Sequence, residues 1–187
     1  MFSLRAYDLH VEQLFEKARR IAAALSSAGI PYRIVGGIGV FVQVSRDHPE
    51  KARMTDDIDL AVRRSDLERV RAAAAQAGFR YRHAAGVDML VDESSPRPRS
   101  EIHFVFALEK VRPEYLEPVP FSDADINDDG LLIAPVADLV RMKLTSFRLK
   151  DKVHIQDMDG AGLITPEIEA SLSEPLRERL REVRATR

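Results

Sequence analysis

The sequence predicts an α/β protein (in the broader sense α+β): a twisted, mixed sheet flanked by helices and followed by a C-terminal helical region. Three observations carry this expectation. Val11, Leu14, Phe15, Ala18, Ile21, Ala22 and Leu25 recur at helical spacing. Residues 32–108 hold short apolar and β-branched runs separated by turn residues. Beyond Pro135 the apolar spacing becomes helical again. With 187 residues, 45% of them hydrophobic, the chain can bury a real core as one domain with a helical appendage.

Gly29 and Pro31 close the first helix. Residues 32–35 read as a short strand that runs into Gly36 and Gly37. The apolar run that follows is ambiguous by pattern. A short buried helix is preferred, because a strand–glycine–helix turn explains the glycine pair. Residues 45–54 form a polar loop, and 57–62 a strand. Ser65 and Glu68 have capping-box spacing and predict a helix over 66–77. Strands are expected at 79–82, 87–92 and 101–108, with connectors at 94–100 and 109–121. A last short strand at 131–135 precedes helices at 136–147 and 151–159, and one or two more lie between 167 and 184. The expected organisation is an N-terminal helix packed on the core (1–31), the core (32–120) and a mainly helical region walling a cleft (121–187).

Composition narrows the function classes. No cysteine is present, which excludes disulfides and thiolate metal sites. The net charge of -2 carries no global polyanion signal, although basic clusters occur at 141–152, 177–187 and, interrupted, 80–99. The N-terminus has no apolar signal-like core and no stretch approaches a membrane span, so a soluble, cytoplasmic protein without a membrane partner is expected.

The chemistry concentrates in residues 53–62. Successive strand side chains alternate between faces, so Asp57 and Asp59 project side by side while Ile58 and Leu60 pack on the other face. Two adjacent carboxylates repel unless a cation joins them. Magnesium takes few protein carboxylates and keeps positions for water and phosphate, so this pair is a reasonable two-ligand seat; a solvated strand start is the alternative. Gly36 and Gly37 follow a strand and open a helix, where the backbone can approach a phosphate and the helix N-terminus supplies free N–H groups. The alternative is a tight turn and nothing more. The pattern is neither a P-loop nor a dinucleotide fingerprint.

Val35-Gly36-Gly37, a short apolar helix, and then Arg53-Met54-Thr55-Asp56-Asp57-Ile58-Asp59-Leu60 resemble the signature of the nucleotidyltransferase superfamily, which has the DNA polymerase β-like fold. The threonine two residues before the first aspartate resembles a small prokaryotic group that includes abortive-infection toxins. A helix carrying Lys143, then Arg148, Lys150 and Asp151, matches an element of that group. The resemblance covers about residues 32–160. It implies that Asp57 and Asp59 hold Mg2+ and act catalytically. It also implies that Gly36, Gly37, Thr55, Lys143, Lys150 and Asp151 serve the nucleotide. The implied reaction transfers NMP from an NTP to an RNA, protein or small-molecule acceptor. A cognate antitoxin-like partner is implied as well. The second expectation is a weakly active or inactive nucleotide- or partner-binding protein of the same fold.

The chain departs from the pattern twice. Nineteen residues separate Gly37 from Asp57, a long spacing whose extra length falls in the polar loop. The third carboxylate of polymerase-like members has no plain counterpart: Glu101 supplies it, His103 replaces it, or it is missing. Neutral histidine could act as general base. On a helix from Lys150, residues Lys150, His154 and Asp157 share a face and could line a cleft together, with Asp151 as its N-cap. Residues 125–130 match the opening of a calcium loop but place Val136 where its bidentate glutamate belongs, so they are read as a turn. Phe104 and Phe106 are expected in the core.

Overall fold

The computed structural model of the chain describes residues 4–94 and 101–186. Helix α1 (Leu4–Ser27) leads to strand β1 (Tyr32–Val35), which ends where helix α2 (Gly36–Ser45) begins. Strand β2 (Ile58–Val62), helix α3 (Leu67–Gln76) and strands β3 (Phe79–Ala84), β4 (Val87–Asp92) and β5 (Ile102–Phe106) follow. Strands β6 (Asp125–Ile126) and β7 (Leu132–Ile133) precede helices α4 (Val136–Ser146), α5 (Leu149–Gly160), α6 (Pro166–Ser171) and α7 (Glu174–Ala185).

Among the described residues the seven strands form one sheet in the order β3-β4-β5-β2-β1-β7-β6. It is mixed, as expected: β2 runs antiparallel to β1 and parallel to β5, and β7 runs parallel to β1. Each face carries its own core. Ile34, Ile58, Leu60, Ile102 and Phe104 pack with α1 and α3. Val35 and Ala61 face α4, α5 and α7 through Leu139, Leu144, Ile155, Met158 and Leu180.

Helix α2 belongs to both cores, with Ile38 and Val42 in the first and Val40 and Val44 in the second. That is why its sequence is apolar all round and shows no clean helical stripe. The long spacing from Gly37 to Asp57 is filled by this helix and a short 3-10 turn at Pro49–Lys51, inside what reads as a polar loop.

One local expectation is corrected and another is extended. Ser65 does not cap α3: a 3-10 turn at Arg64–Asp66 puts the helix start at Leu67, and no side chain caps it. The turn at 125–130 is the tip of a hairpin, because Asp125 and Ile126 pair with Ile133 and Leu132. The Asn127 side-chain oxygen accepts from the Asp129 and Leu131 N–H groups at 3.1 and 2.8 Å and closes it. The β6 strand is too short for any alternation to reveal it. Most of the connector expected at 94–100 lies outside the described residues. Phe104 and Phe106 are buried in the core, as expected.

Candidate active site

The glycine pair and Asp59 meet because β1 and β2 pair with Val35 opposite Asp59; Asp57, expected as the first strand residue, stands just before β2. The chain turns into α2 one residue after Val35, at Gly36, whose φ is +67°. A β-carbon on Gly36 would stand 2.7 Å from Cγ and 2.9 Å from Cβ of Asp59, and closer still to its Oδ2. A β-carbon on Gly37 would stand 2.7–2.8 Å from three side-chain atoms of Thr55. Gly36 needs both backbone freedom and the absence of a side chain, and Gly37 needs the absence of a side chain. Thr55 supports the turn from behind, and Asp59 lies against it.

Asp59 belongs to a row of cross-strand neighbours: Val35, Asp59, His103 and Met89 share one face. His103 stands between two acids, with Nδ1 3.8 Å from Asp59 Oδ1 and Nε2 3.8 Å from Glu101 Oε2. The Asp59 side chain keeps 31% exposure at the floor of a cleft. Burial pushes its carboxyl above the usual range, Asp57 pushes the same way, and Lys143, His103 and Lys150 oppose them.

The cleft has a volume of about 660 Å³, within the range of small-molecule sites. Gly36, Asp57, Asp59, Glu101, His103, Lys143 and Lys150 all line it. Gly37, Thr55 and Asp151 are not part of its lining. The side facing Asp59 is the start of α5 and the end of α4.

That wall is held by Asp151, whose side chain is fully buried. Its carboxylate accepts from Lys143 Nζ at 3.1 Å, Ser146 Oγ at 2.8 Å, Arg148 Nε at 2.7 Å and the Arg148 backbone N–H at 3.2 Å. Burial alone would raise its pKa; the Arg148 guanidinium, the Lys143 ammonium and the Ser146 hydroxyl outweigh it and hold it down at about 2. Asp151 is therefore not the α5 N-cap. Arg148 is, and Asp151 closes a capping box from the third helical position. Lys143 lines the cleft from its wall, but its ammonium is buried on this carboxylate, and desolvation lowers its pKa.

The shared face of Lys150, His154 and Asp157 does not become a shared site. Lys150 alone reaches the cleft. Asp157 accepts from Arg53 Nε at 3.0 Å, which ties the segment before β2 to α5. His154 is half-buried, and its buried Nδ1 has no hydrogen-bond partner. Arg148 was visible in the sequence beside Lys150, but its structural role was not: it bridges Asp151 and the cleft with 51% of its side chain exposed. Arg64, also on the wall, was missed; it stacks 3.6 Å from the Phe106 ring centroid and pairs with Glu109 at 2.7 Å. No pattern in the sequence links those three.

Among the described residues no group of three His, Asp or Glu side chains converges as a preformed metal cage. The donor set nevertheless suits magnesium. Two carboxylates on one cleft floor, one of them pressed against a glycine turn, are what that ion takes from a protein when phosphate oxygens and water complete its shell.

No protein-family profile and no curated protein sequence matches the chain. Solved structures do. A nucleotidyltransferase-like antigenic protein from Paracoccidioides brasiliensis superposes with a TM-score of 0.61 at 17% identity, over 94% of this chain and 89% of that one. The antibiotic-resistance factor ANT(2'')-Ia, in complex with adenylyl-2''-tobramycin, superposes with a TM-score of 0.53 at 13% identity, over 94% and 98%. The solution structure of the same factor gives 0.51 at 16% identity, over 93% and 89%. The chain thus has the nucleotidyltransferase fold. Among the described residues no helix is long and apolar enough to cross a membrane.

Proposed function

We propose that the protein is a magnesium-dependent nucleotidyltransferase that moves NMP from an NTP to a hydroxyl acceptor. The observation that carries this reading is the contact of the Gly36 turn with Asp59 on a cleft floor that also holds Asp57. Phosphate-binding backbone and metal-binding carboxylates are side by side, as phosphoryl transfer requires. The nucleotidyltransferase fold and the sequence signature support the same reading.

Asp57 and Asp59 would hold the magnesium, which neutralises charge on the phosphates when bound. Gly36 and Gly37 would present the first N–H groups of α2 to the triphosphate. Lys150 and the exposed edge of Arg148 would meet its remaining charge, and Lys143 would act indirectly by holding Asp151 and the α5 start. The acceptor hydroxyl would enter from the opposite side of Asp59, past Glu101 and His103.

The test is pyrophosphate release from each of the four NTPs with magnesium, comparing wild type with Asp59→Asn. Transfer should vanish in the variant while urea stability stays level or rises slightly, because one of two facing charges is removed. Unfolding of the variant would make Asp59 a structural residue and sink the reading. Tight Mg·NTP binding without release by the wild type would favour the second reading, a nucleotide-binding protein of this fold. His103, in a slot where polymerase-like members place a carboxylate, is the observation behind that alternative.

A further inference from the structure

We infer that Arg53 and Asp157 form a positioning pair that sets the magnesium affinity of Asp57 from outside the cleft, with helix α5 as the rigid reference. The inference rests on the nucleotidyl-transfer reading and adds to it how the first metal carboxylate is held.

The two aspartates are fixed by different means. Asp59 lies inside β2 and has a strand neighbour on each side, Val35 on β1 and His103 on β5. Asp57 precedes β2, at the end of the segment 52–57, which is neither helix nor strand. A carboxylate on irregular backbone is only as well placed as the ties on that backbone.

Those ties lead to α5. Arg53 Nε donates to Asp157 Oδ1 at 3.0 Å and stands 3.0 Å from Oδ2, an oxygen that is buried and accepts no hydrogen bond. Two residues earlier, Lys51 Nζ donates to the Gly160 carbonyl at 2.8 Å, at the C-terminal end of α5. A cation there also meets the negative end of the helix dipole. Residues 157 and 160 are neighbours on the helix surface, so the two cations grip one turn. Past this grip, Met54 packs on the first core and Thr55 lies against Gly37.

Burial shows which partner depends on the other. The Asp157 side chain is 11% exposed, that of Arg53 66%. Among the described residues Arg53 is the one cation paired with this carboxylate. A buried carboxylate stripped of its cation is costly, so Arg53 and the backbone that carries it are drawn onto α5. The helix itself is anchored: Ile155 and Met158 sit in the second core, and Asp151 locks its start. Neither Arg53 nor Asp157 lines the cleft, so both act through Asp57. The same helix brings Lys150 to the cleft, about 10 Å along its axis from Asp157. One rod thus places a triphosphate cation at its start and a metal carboxylate two turns on.

The test uses Mn2+ as a stand-in for magnesium, titrated through the electron paramagnetic resonance signal of the free ion, with a urea midpoint for every variant. Asp57→Ala should abolish binding. Arg53→Ala should weaken it about tenfold, at the low end for groups that orient metal ligands, and Arg53→Lys should recover most of it because the charge remains. Asp157→Asn keeps the buried shape and removes the charge, so it should weaken binding as well, and it decides the matter should Arg53→Ala fail to fold. The double variant should be no worse than the weaker single. Arg184→Ala is the control: Arg184 also joins an acid of α5, Asp159 at 2.8 Å, but ties it to Glu169 of α6 and not to the metal segment. Its Mn2+ affinity should match wild type. Where transfer is followed, half-saturating magnesium should rise in Arg53→Ala while KM for NTP at saturating magnesium stays within about twofold. Binding that Asp57→Ala abolishes but Arg53→Ala and Asp157→Asn leave intact overturns the inference and keeps the transferase reading. Equal weakening by Arg53→Ala and Arg184→Ala, in step with their urea midpoints, makes the pair merely structural and overturns it too. Absent binding by wild type, or binding indifferent to Asp57→Ala, removes the metal seat, and the transferase reading falls together with the inference.

Discussion

Replacing Gly36 with alanine is the sharpest probe of the site, because two separable costs fall on one methyl group. The backbone sits at φ +67°, where an L-residue loses about 1–2 kcal/mol. The added β-carbon also falls 2.7 Å from Cγ of Asp59, and that overlap forces side-chain or backbone shifts worth about 1–3 kcal/mol. The sum is about 2–5 kcal/mol against a typical domain stability of about 5–15, so the protein should stay folded. Gly86→Ala is the control: its φ is +75°, but no atom lies within 4 Å of the new β-carbon, so only the backbone cost remains. Urea unfolding of both variants separates the terms. Placed on an Asp59→Ala background, Gly36→Ala should recover about 1–2 kcal/mol, since the carboxylate it strikes is gone. Displacement of Asp59 by even ~1 Å should cut transfer about a hundredfold in the single variant. Equal losses for Gly36→Ala and Gly86→Ala, with strict additivity to Asp59→Ala, would refute the close approach on which the site is built.

Asp151→Ala should cost about 3–5 kcal/mol in urea, because it strands the buried Lys143 ammonium, and pairing it with Lys143→Met should recover much of that loss. His154 makes stability acid-sensitive: burial first, and Lys143 second, lower its pKa from 6.5 to about 4. The unfolded chain therefore takes up the proton first, so this contribution is complete above pH 6.5 and is lost as pH falls toward 4. Asp151, depressed from 3.8 to about 2, adds a further loss between those values. Urea midpoints at pH 7 and pH 4.5 should differ less in His154→Gln than in wild type, and an unchanged difference would clear His154 of the effect. Lys150→Ala should raise the KM for NTP while leaving magnesium titration and, to within about 0.5 kcal/mol, stability unaltered, because the side chain is exposed at the cleft.

Much of the site was legible because its signals are local. Strand periodicity alone puts Asp57 and Asp59 on one face, and the glycine pair marks a strand-to-helix turn whatever surrounds it. Strands β1 and β4 match the expected limits for the same reason: short apolar runs bounded by turn residues leave little freedom. Ser65 shows the opposite case. Its spacing to Glu68 is right for a cap, but the preceding residues close a 3-10 turn and start the helix later.

What the chain decides on its own is therefore the alternation that aims two aspartates the same way and the glycines that keep α2 free of side chains at its start. Only the tertiary structure brings Val35 opposite Asp59, buries Lys143 and anchors Arg148 on Asp151, and lays Arg82 in line with Asp59 three strands away. The physical reason is range. Dihedral preference and residue spacing act within a few positions, whereas registers between strands and the pairing of buried charges depend on which distant segments share the same core.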